Sequence, residues 1–478
     1  MLCETVTATS MADLVRARDA ATVADMVELR LDGVADIDVA QALAARPRPA
    51  VVTCRPKWEG GRFEGSEDER RRILHQALDL GAEFVDIEWR AEFGDLVARA
   101  PERVVLSSHD FMGVPDDLAA RARAMRTTGA KTIKIAVAVR RLTETLALID
   151  IARDGNAVVI GMGDAGFSSR LLAARYGSRW TYAGHAVAPG QVPASRMVDD
   201  YGFRRVGGDT RLFGVISTNA MHSLSPVMHN AAFAAAGIDA VYVPLRPADF
   251  TDFLEYAEAM DITGASVTIP FKLDAFAAAL RADDLTRTVG ATNTLRRIAH
   301  DGVRGWEATN TDVTGFLAPL DAIYPGDLSG SRVSVLGAGG SARAVIVALL
   351  ARGARVMVHA RRREQVDGLV GDLGVAAGPW PIEPDSWDLL VNCTPLGGGD
   401  LRADSPLPGG PFNGLMVYDL TYGRGASRLV AEARAAGCLA LDGLPMLIAQ
   451  AERQFAWWTG QPAPAGVMEQ AARTRLCD

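Results

Sequence analysis

At 478 residues the chain is longer than one ordinary hydrophobic core organises, and roughly two to four domains are expected. Its 49% hydrophobic and 23% charged residues describe a globular protein. A formal net charge of -8, with no basic run longer than Arg361-Arg362-Arg363, excludes a nucleic-acid partner and favours small molecules. The five cysteines, Cys3, Cys54, Cys393, Cys438 and Cys477, are scattered without CxxC spacing, so neither a disulfide framework nor a metal site is expected. No apolar run reaches the length of about 18 residues that a membrane span needs, and a cytoplasmic setting is expected. The oligomeric state is left open.

Up to about residue 205, short apolar runs alternate with helical stretches rich in alanine and arginine. Eight runs read as strands: Cys3–Ala8, Asp25–Leu31, Ala50–Cys54, Glu83–Glu88, Arg103–Ser107, Thr132–Val137, Ala157–Met162 and Trp180–Val187. Strand alternating with helix predicts a parallel sheet, and eight such units predict a closed (β/α)8 barrel. Glu28, Arg30, Arg55, Glu88, His109 and Lys134 fall within or just after these strands, at the rim where that fold carries its chemistry. Lys134 stands out because lysine is rare here, with four (Lys57, Lys131, Lys134, Lys272) among 50 basic residues. Unlike arginine, a lysine amine can lose its proton and attack a carbonyl. Burial among Ile133, Ile135 and nearby arginines is expected to favour that form.

The alternation breaks near Gly207-Gly208-Asp209-Thr210, the candidate linker. Strand-like runs follow at Leu212–Ser217, Ala240–Leu245 and Ile262–Thr268. Ser331–Leu336 then leads into Gly337-Ala338-Gly339-Gly340-Ser341-Ala342, a helical stretch and another strand, Ala354–His359. This is a βαβ unit with G-x-G-x-x-A at its first turn, the pattern that brings a dinucleotide pyrophosphate to a helix N-terminus. Arg361 and Arg362 stand where an NAD enzyme places an acid, and they favour the 2′-phosphate of NADP(H). Lys272, at the end of Val267-Thr268-Ile269-Pro270-Phe271-Lys272, is the second lysine in a chemical setting.

The motifs His222-Ser223-Leu224-Ser225-Pro226, Val267–Lys272, Gly290-Ala291-Thr292-Asn293-Thr294, Asn310-Thr311-Asp312, the glycine turn, Asn392-Cys393-Thr394-Pro395 and Gly443-Leu444-Pro445-Met446-Leu447, ending at Gln450, resemble the shikimate dehydrogenase family in residues and order. The resemblance implies that Ser223, Ser225, Thr268, Asn293, Tyr422 and Gln450 hold the substrate and that Lys272 and Asp312 are the catalytic pair. It also implies that Gly337, Ala338, Gly339, Gly340, Ser341, Ala342, Arg361, Arg362, Thr394 and Gly443 bind NADP(H). Ser266, Pro395 and Gly398 depart from the family's usual residues.

In the first half, Glu28-Leu29-Arg30, Thr53-Cys54-Arg55 through Trp58-Glu59-Gly60-Gly61, Asp86-Ile87-Glu88, Ser108-His109, Lys134, Arg170 and Ala188-Pro189-Gly190-Gln191 resemble type I 3-dehydroquinate dehydratase. The resemblance implies a Schiff base on Lys134, proton transfer by His109, and tuning of His109 by Glu59. Glu28, Arg30, Arg55, Arg170 and Gln191 would bind the substrate. Val187 stands where that family usually has serine, and the lost hydroxyl would cost about 1 kcal/mol of binding.

The expected organisation is a barrel over 1–207 and a two-lobed unit over 210–478, with a substrate lobe over 210–320 and 445–478 and a Rossmann lobe over 325–444. The two halves together would dehydrate 3-dehydroquinate and reduce 3-dehydroshikimate to shikimate. The alternatives are a quinate/shikimate dehydrogenase with an impaired dehydratase half and a metabolite-sensing regulator without catalysis; retention of Lys134, His109, Lys272 and Asp312 argues against the regulator.

Overall fold

The computed structural model describes residues 1–185, 188–383 and 386–477. Val187 and the end of the eighth expected strand lie outside the described residues. The chain forms two compact units, Met1–Arg211 with Ala240–Asp261, and Leu212–Asp239 with Ile262–Asp478.

In the first unit eight strands run in parallel: β1 (Leu2–Thr7), β2 (Met26–Arg30), β3 (Ala50–Thr53), β4 (Phe84–Glu88), β5 (Val104–Asp110), β6 (Thr132–Ala138), β7 (Ala157–Met162) and β8 (Thr181–Gly184). Neighbours in sequence are neighbours in space from β1 to β7, and β8 returns to pair with β1, which nearly closes the barrel. The strands read as almost continuous apolar runs because one face packs under helices and the other fills the barrel. Cys3, Val51, Val105, Ala136, Val158 and Ile160 belong to one buried cluster. β5 continues past the expected Ser107 to Asp110, so His109 is part of the strand.

The segment Ala240–Asp261, strand β10 (Ala240–Leu245) and helix Phe250–Ala259, groups with the barrel. Its buried Asp252 accepts hydrogen bonds from the backbone amides of Leu142 and Thr143 at 2.9 and 3.0 Å, and the Tyr176 and Tyr256 hydroxyls lie 3.2 Å apart. Nothing in the local sequence pattern announces this; it depends on partners about a hundred residues away.

The second unit has two sheets. In the first, β9 (Arg211–Ile216) pairs in parallel with β11 (Ile262–Val267), and β11, β13 (Thr294–His300) and β14 (Val303–Thr309) are antiparallel, with the short β12 (Arg281–Ala282) beside β14. The second is wholly parallel, from β15 (Arg332–Leu336), β16 (Arg355–His359), β17 (Ala376–Ala377), β18 (Leu389–Asn392), β19 (Met416–Asp419) and β20 (Leu439–Leu441), in the order β17-β16-β15-β18-β19-β20. This is the doubly wound arrangement, and its strand order reverses between β15 and β18, where such sheets open a ligand crevice. The glycine turn lies at that point and leads into helix Gly340–Ala351, whose Ala342, Val345, Ile346 and Leu349 are buried. No helix among the described residues is long and apolar enough to cross a membrane.

Candidate active sites

The eight residues given roles by the resemblance, Glu28, Arg30, Arg55, Glu59, His109, Lys134, Arg170 and Gln191, line one cavity. Side chains alternate along each strand, so Glu28, Asp86, Ser107 and Lys134 project from β2, β4, β5 and β6 into a shared interior. Lys134 Nζ donates to Asp86 Oδ2 at 3.1 Å and Glu28 Oε1 at 3.3 Å, and it lies 4.1 Å from the centre of the Tyr182 ring. Arg30, Arg55 and Arg170 line the same cavity, as expected, but the direct partners of the amine are carboxylates. Arg55 supplies the compensating charge from behind, donating to Asp86 at 2.9 Å, Glu88 at 2.7 Å and Ser107 Oγ at 2.8 Å. Burial works against a charged Asp86, yet Arg55 and then Lys134 hold its carboxyl below the usual range.

His109 faces Glu59, with Nδ1 3.0 Å from Oε1, and its backbone amide donates to the same oxygen at 3.0 Å. Burial, then the charges of Arg55 and Lys134, push the imidazole well below its ordinary value, leaving a neutral ring able to accept a proton. Burial lifts Glu59 to about 7 against the pull of Arg55.

Arg170 is 1% exposed, and its side chain donates to two backbone carbonyls, Tyr182 at 3.3 Å and Pro189 at 3.4 Å; its Nε has no partner among the described residues. Burial alone lowers it to about 10. A guanidinium in this state, opening on a cavity, is a receptor for an anion. Arg30, in contrast, is already held by both oxygens of Asp32 at 2.8 and 2.9 Å. Gln191 reaches Thr5 Oγ1 at 3.3 Å. Glu88 does not line the cavity; it is sealed beneath it between Arg55 and Arg70. Sequence reasoning passed over Asp86 as a site residue, although its spacing of two from Glu88 was the available signal.

The second cleft is lined by Ser223, Ser225, Thr268, Lys272, Asn293, Asp312, Ser341, Thr394, Tyr422, Gly443 and Gln450, all of which were expected at a site. Lys272 Nζ donates to Asp312 Oδ2 at 2.5 Å and to Ser341 Oγ at 3.0 Å. Asn293 Nδ2 donates to Asp312 Oδ1 at 2.7 Å and Gln450 Oε1 at 3.2 Å, so one asparagine fixes both the carboxylate and the amide. Ser266 donates to Gln454 Oε1 at 2.7 Å, and Gln454 in turn donates to Thr294 Oγ1 at 2.9 Å. Gln454 lies one helical turn beyond Gln450 and went unnoticed, although that spacing puts both on one helix face.

The glycine turn suits a dinucleotide. Gly337 has φ +104°, which side-chain-bearing residues rarely adopt, and a Cβ there would meet the Cys393 backbone at 3.2 Å. The position of a Cβ on Gly339 is open space in front of the helix N-terminus, the room a phosphate needs. Gly340 packs on the stem of Lys272, and Gly443 lies so close to Leu420 that no side chain fits. Ala338 is half-buried, and Ala342 is buried where the helix meets the sheet. Arg361 and Arg362 follow β16 and are exposed, outside the cleft lining.

Comparisons with known proteins agree in their order along the chain. Residues 2–207 match the family described as type I 3-dehydroquinase, 215–295 the shikimate dehydrogenase substrate binding domain, and 443–473 the shikimate 5′-dehydrogenase C-terminal domain. The bifunctional 3-dehydroquinate dehydratase/shikimate dehydrogenase of Arabidopsis thaliana, a chloroplastic protein, is 32% identical over 92% of this chain and 78% of its own length. The NADP(+) shikimate dehydrogenase of Thermosynechococcus vestitus is 36% identical over 57% of this chain and 98% of its own. Among solved structures, shikimate dehydrogenase from Aquifex aeolicus has a TM-score of 0.51 at 32% identity, covering 56% of this chain and 99% of that one. The Thermus thermophilus enzyme in complex with NADP(H) and shikimate has a TM-score of 0.50 at 32% identity, covering 56% of this chain and 100% of that one.

Proposed function

Because the chain belongs to the bifunctional 3-dehydroquinate dehydratase/shikimate dehydrogenase family, we propose that its two sites act in succession, turning 3-dehydroquinate into 3-dehydroshikimate and then into shikimate. One half is a type I 3-dehydroquinase and the other an NADP-dependent shikimate dehydrogenase.

In the barrel, Lys134 condenses with the substrate ketone, releasing water and forming an iminium. The iminium withdraws electrons from the adjacent C–H bond, so an imidazole is a strong enough base to take that proton. His109 removes it and returns it to the hydroxyl that leaves; water then cleaves the iminium and frees Lys134. Glu59, on Nδ1, keeps the other ring nitrogen pointed at the substrate. The substrate carboxylate pairs with Arg170, the buried guanidinium that has no carboxylate partner among the described residues.

In the second unit the Gly337–Ala342 turn would hold NADPH and Arg361 and Arg362 would meet its 2′-phosphate, and the bound cofactor would supply the hydride. Charge develops on the carbonyl oxygen as the ketone is reduced, and Lys272 stabilises it and supplies the proton. Asp312 holds the lysine in place, and Asn293 holds Asp312. Ser223, Ser225, Thr268, Tyr422 and Gln450 bind the substrate's carboxylate and hydroxyls.

The observation that carries this reading is the juxtaposition in one cavity of an amine, an imidazole and a buried guanidinium with no carboxylate partner among the described residues. Borohydride added with 3-dehydroquinate should fix ligand mass on Lys134, and Lys134→Met should take up none. No adduct on the parent chain would remove the Schiff base.

A further inference from the structure

Arg70 lies outside every motif, on helix Glu67–Asp79, yet its side chain is 0% exposed. One side of its guanidinium pairs with Glu88, the carboxylate that also accepts from Arg55 at 2.7 Å. The other side donates to Glu67 Oε2 at 2.9 Å through Nε and at 2.6 Å through Nη2. Its plane lies over the Phe93 ring at 4.6 Å, with Trp58 at 5.9 Å.

Glu67 continues the path. Its Oε1 accepts from the Trp58 indole nitrogen at 3.0 Å, and Trp58 immediately precedes Glu59, the partner of His109. Arg90 also lies over the Trp58 ring, 5.4 Å from its centre. A continuous set of contacts therefore runs from Lys134 through Asp86, Arg55, Glu88, Arg70, Glu67 and Trp58 to the loop that presents Glu59. The amine and the imidazole partner belong to strands and loops far apart in sequence, and Arg70 is where the two halves of the network meet.

We propose that Arg70 is a positioning residue for the dehydratase, fixing the Trp58–Glu59 loop against the carboxylates beneath Lys134 so that Glu59 holds His109 in register with the iminium. A lysine could carry the charge but has no planar fork to hold Glu88 and Glu67 at once. The proposal rests on the Schiff-base reading of the barrel and adds to it a residue that touches neither substrate nor reacting atoms.

It follows that loss of Arg70 impairs proton abstraction and spares condensation at Lys134. Arg70→Gln in the full chain should lower kcat for dehydration roughly 10- to 100-fold, the scale of partial loss of acid–base catalysis, with KM within about three-fold of the parent. Substrate deuterated at the carbon next to the ketone should show a larger isotope effect on kcat in the variant than in the parent, and the borohydride adduct on Lys134 should form as before. A merely structural role would lower the thermal midpoint and leave the isotope effect unmoved. Should Arg70→Gln fail to fold, Glu67→Gln breaks the outer half of the path at a half-exposed residue and should shift kcat and the isotope effect in the same direction, by several-fold. Parent-like kcat and isotope effect in either folded variant would overturn the proposal, and so would loss of the adduct in Arg70→Gln. Absence of the adduct from the parent chain would instead remove the Schiff-base reading.

Discussion

A single oxygen of Glu59, Oε1, faces both the ring Nδ1 and the backbone amide of His109 at 3.0 Å each, which ties the orientation of the imidazole to the strand that carries it. Of the two groups Glu59 changes charge near neutrality. Burial raises its carboxyl from 4.5 to about 7, whereas burial, then the charges of Arg55 and Lys134, depress His109 well below its ordinary value. Dehydratase kcat/KM should therefore rise as pH increases through about 7, as Glu59 ionises and grips Nδ1–H. Glu59→Gln should lose that limb along with roughly 10- to 100-fold of the plateau rate, which a pH–rate profile of both proteins measures.

The same shift bears on stability, with the opposite sign to a paired carboxylate. The folded chain holds the Glu59 proton more tightly than the unfolded chain, so its contribution falls as pH rises from 4.5 to about 7. Denaturant midpoints taken below pH 4.5 and above about pH 7 should show Glu59→Gln gaining on the parent at the higher pH.

Arg170 makes a separate prediction because its buried charge faces no carboxylate among the described residues. Arg170→Met should leave the ligand-free chain as stable as the parent or more so, since an unpaired buried cation is removed. It should raise the dehydratase KM by roughly 10- to 100-fold, the worth of about 1.5–3 kcal/mol in a charge-assisted pair. Thermal melts with and without 3-dehydroquinate check both parts: the ligand should raise the parent's midpoint and barely move the variant's.

In the second unit Lys272→Ala removes the group aimed at the developing alkoxide. NADPH consumption with 3-dehydroshikimate should fall by roughly 10²- to 10⁴-fold, while the dehydratase rate stays at the parent's level. Assaying the two half-reactions separately on one preparation measures both.

Arg361→Ala with Arg362→Ala should raise KM for NADPH roughly 10- to 100-fold and leave KM for NADH unchanged, because only the 2′-phosphate distinguishes the two. Initial rates with each cofactor test this.

Much of this architecture was legible in the sequence. Strand-by-strand alternation in the first half and the glycine turn between β15 and its helix are local patterns, and the structure reproduces them within a few residues. Lys134 and Lys272 could be singled out because lysine is scarce and each lies against an apolar run. The residues that escaped notice act across the fold. Asp86 meets Lys134 from 48 positions away, and Asp252 anchors Leu142 from 110 positions away. Arg70 gives no sign on its helix that it is buried against Glu88 on the neighbouring strand. Ser341, expected only to touch cofactor, also holds Lys272, because the stem of that lysine packs on Gly340. Hydrophobic periodicity says which face of an element is buried but not which charge waits there.

The central claim, that two amines in separate pockets act on one substrate in succession, is tested most directly by giving the purified full chain 3-dehydroquinate and NADPH and identifying the end product. The account predicts shikimate, with one NADPH oxidised per molecule formed. Accumulation of 3-dehydroshikimate with NADPH untouched, or unchanged 3-dehydroquinate, would contradict it.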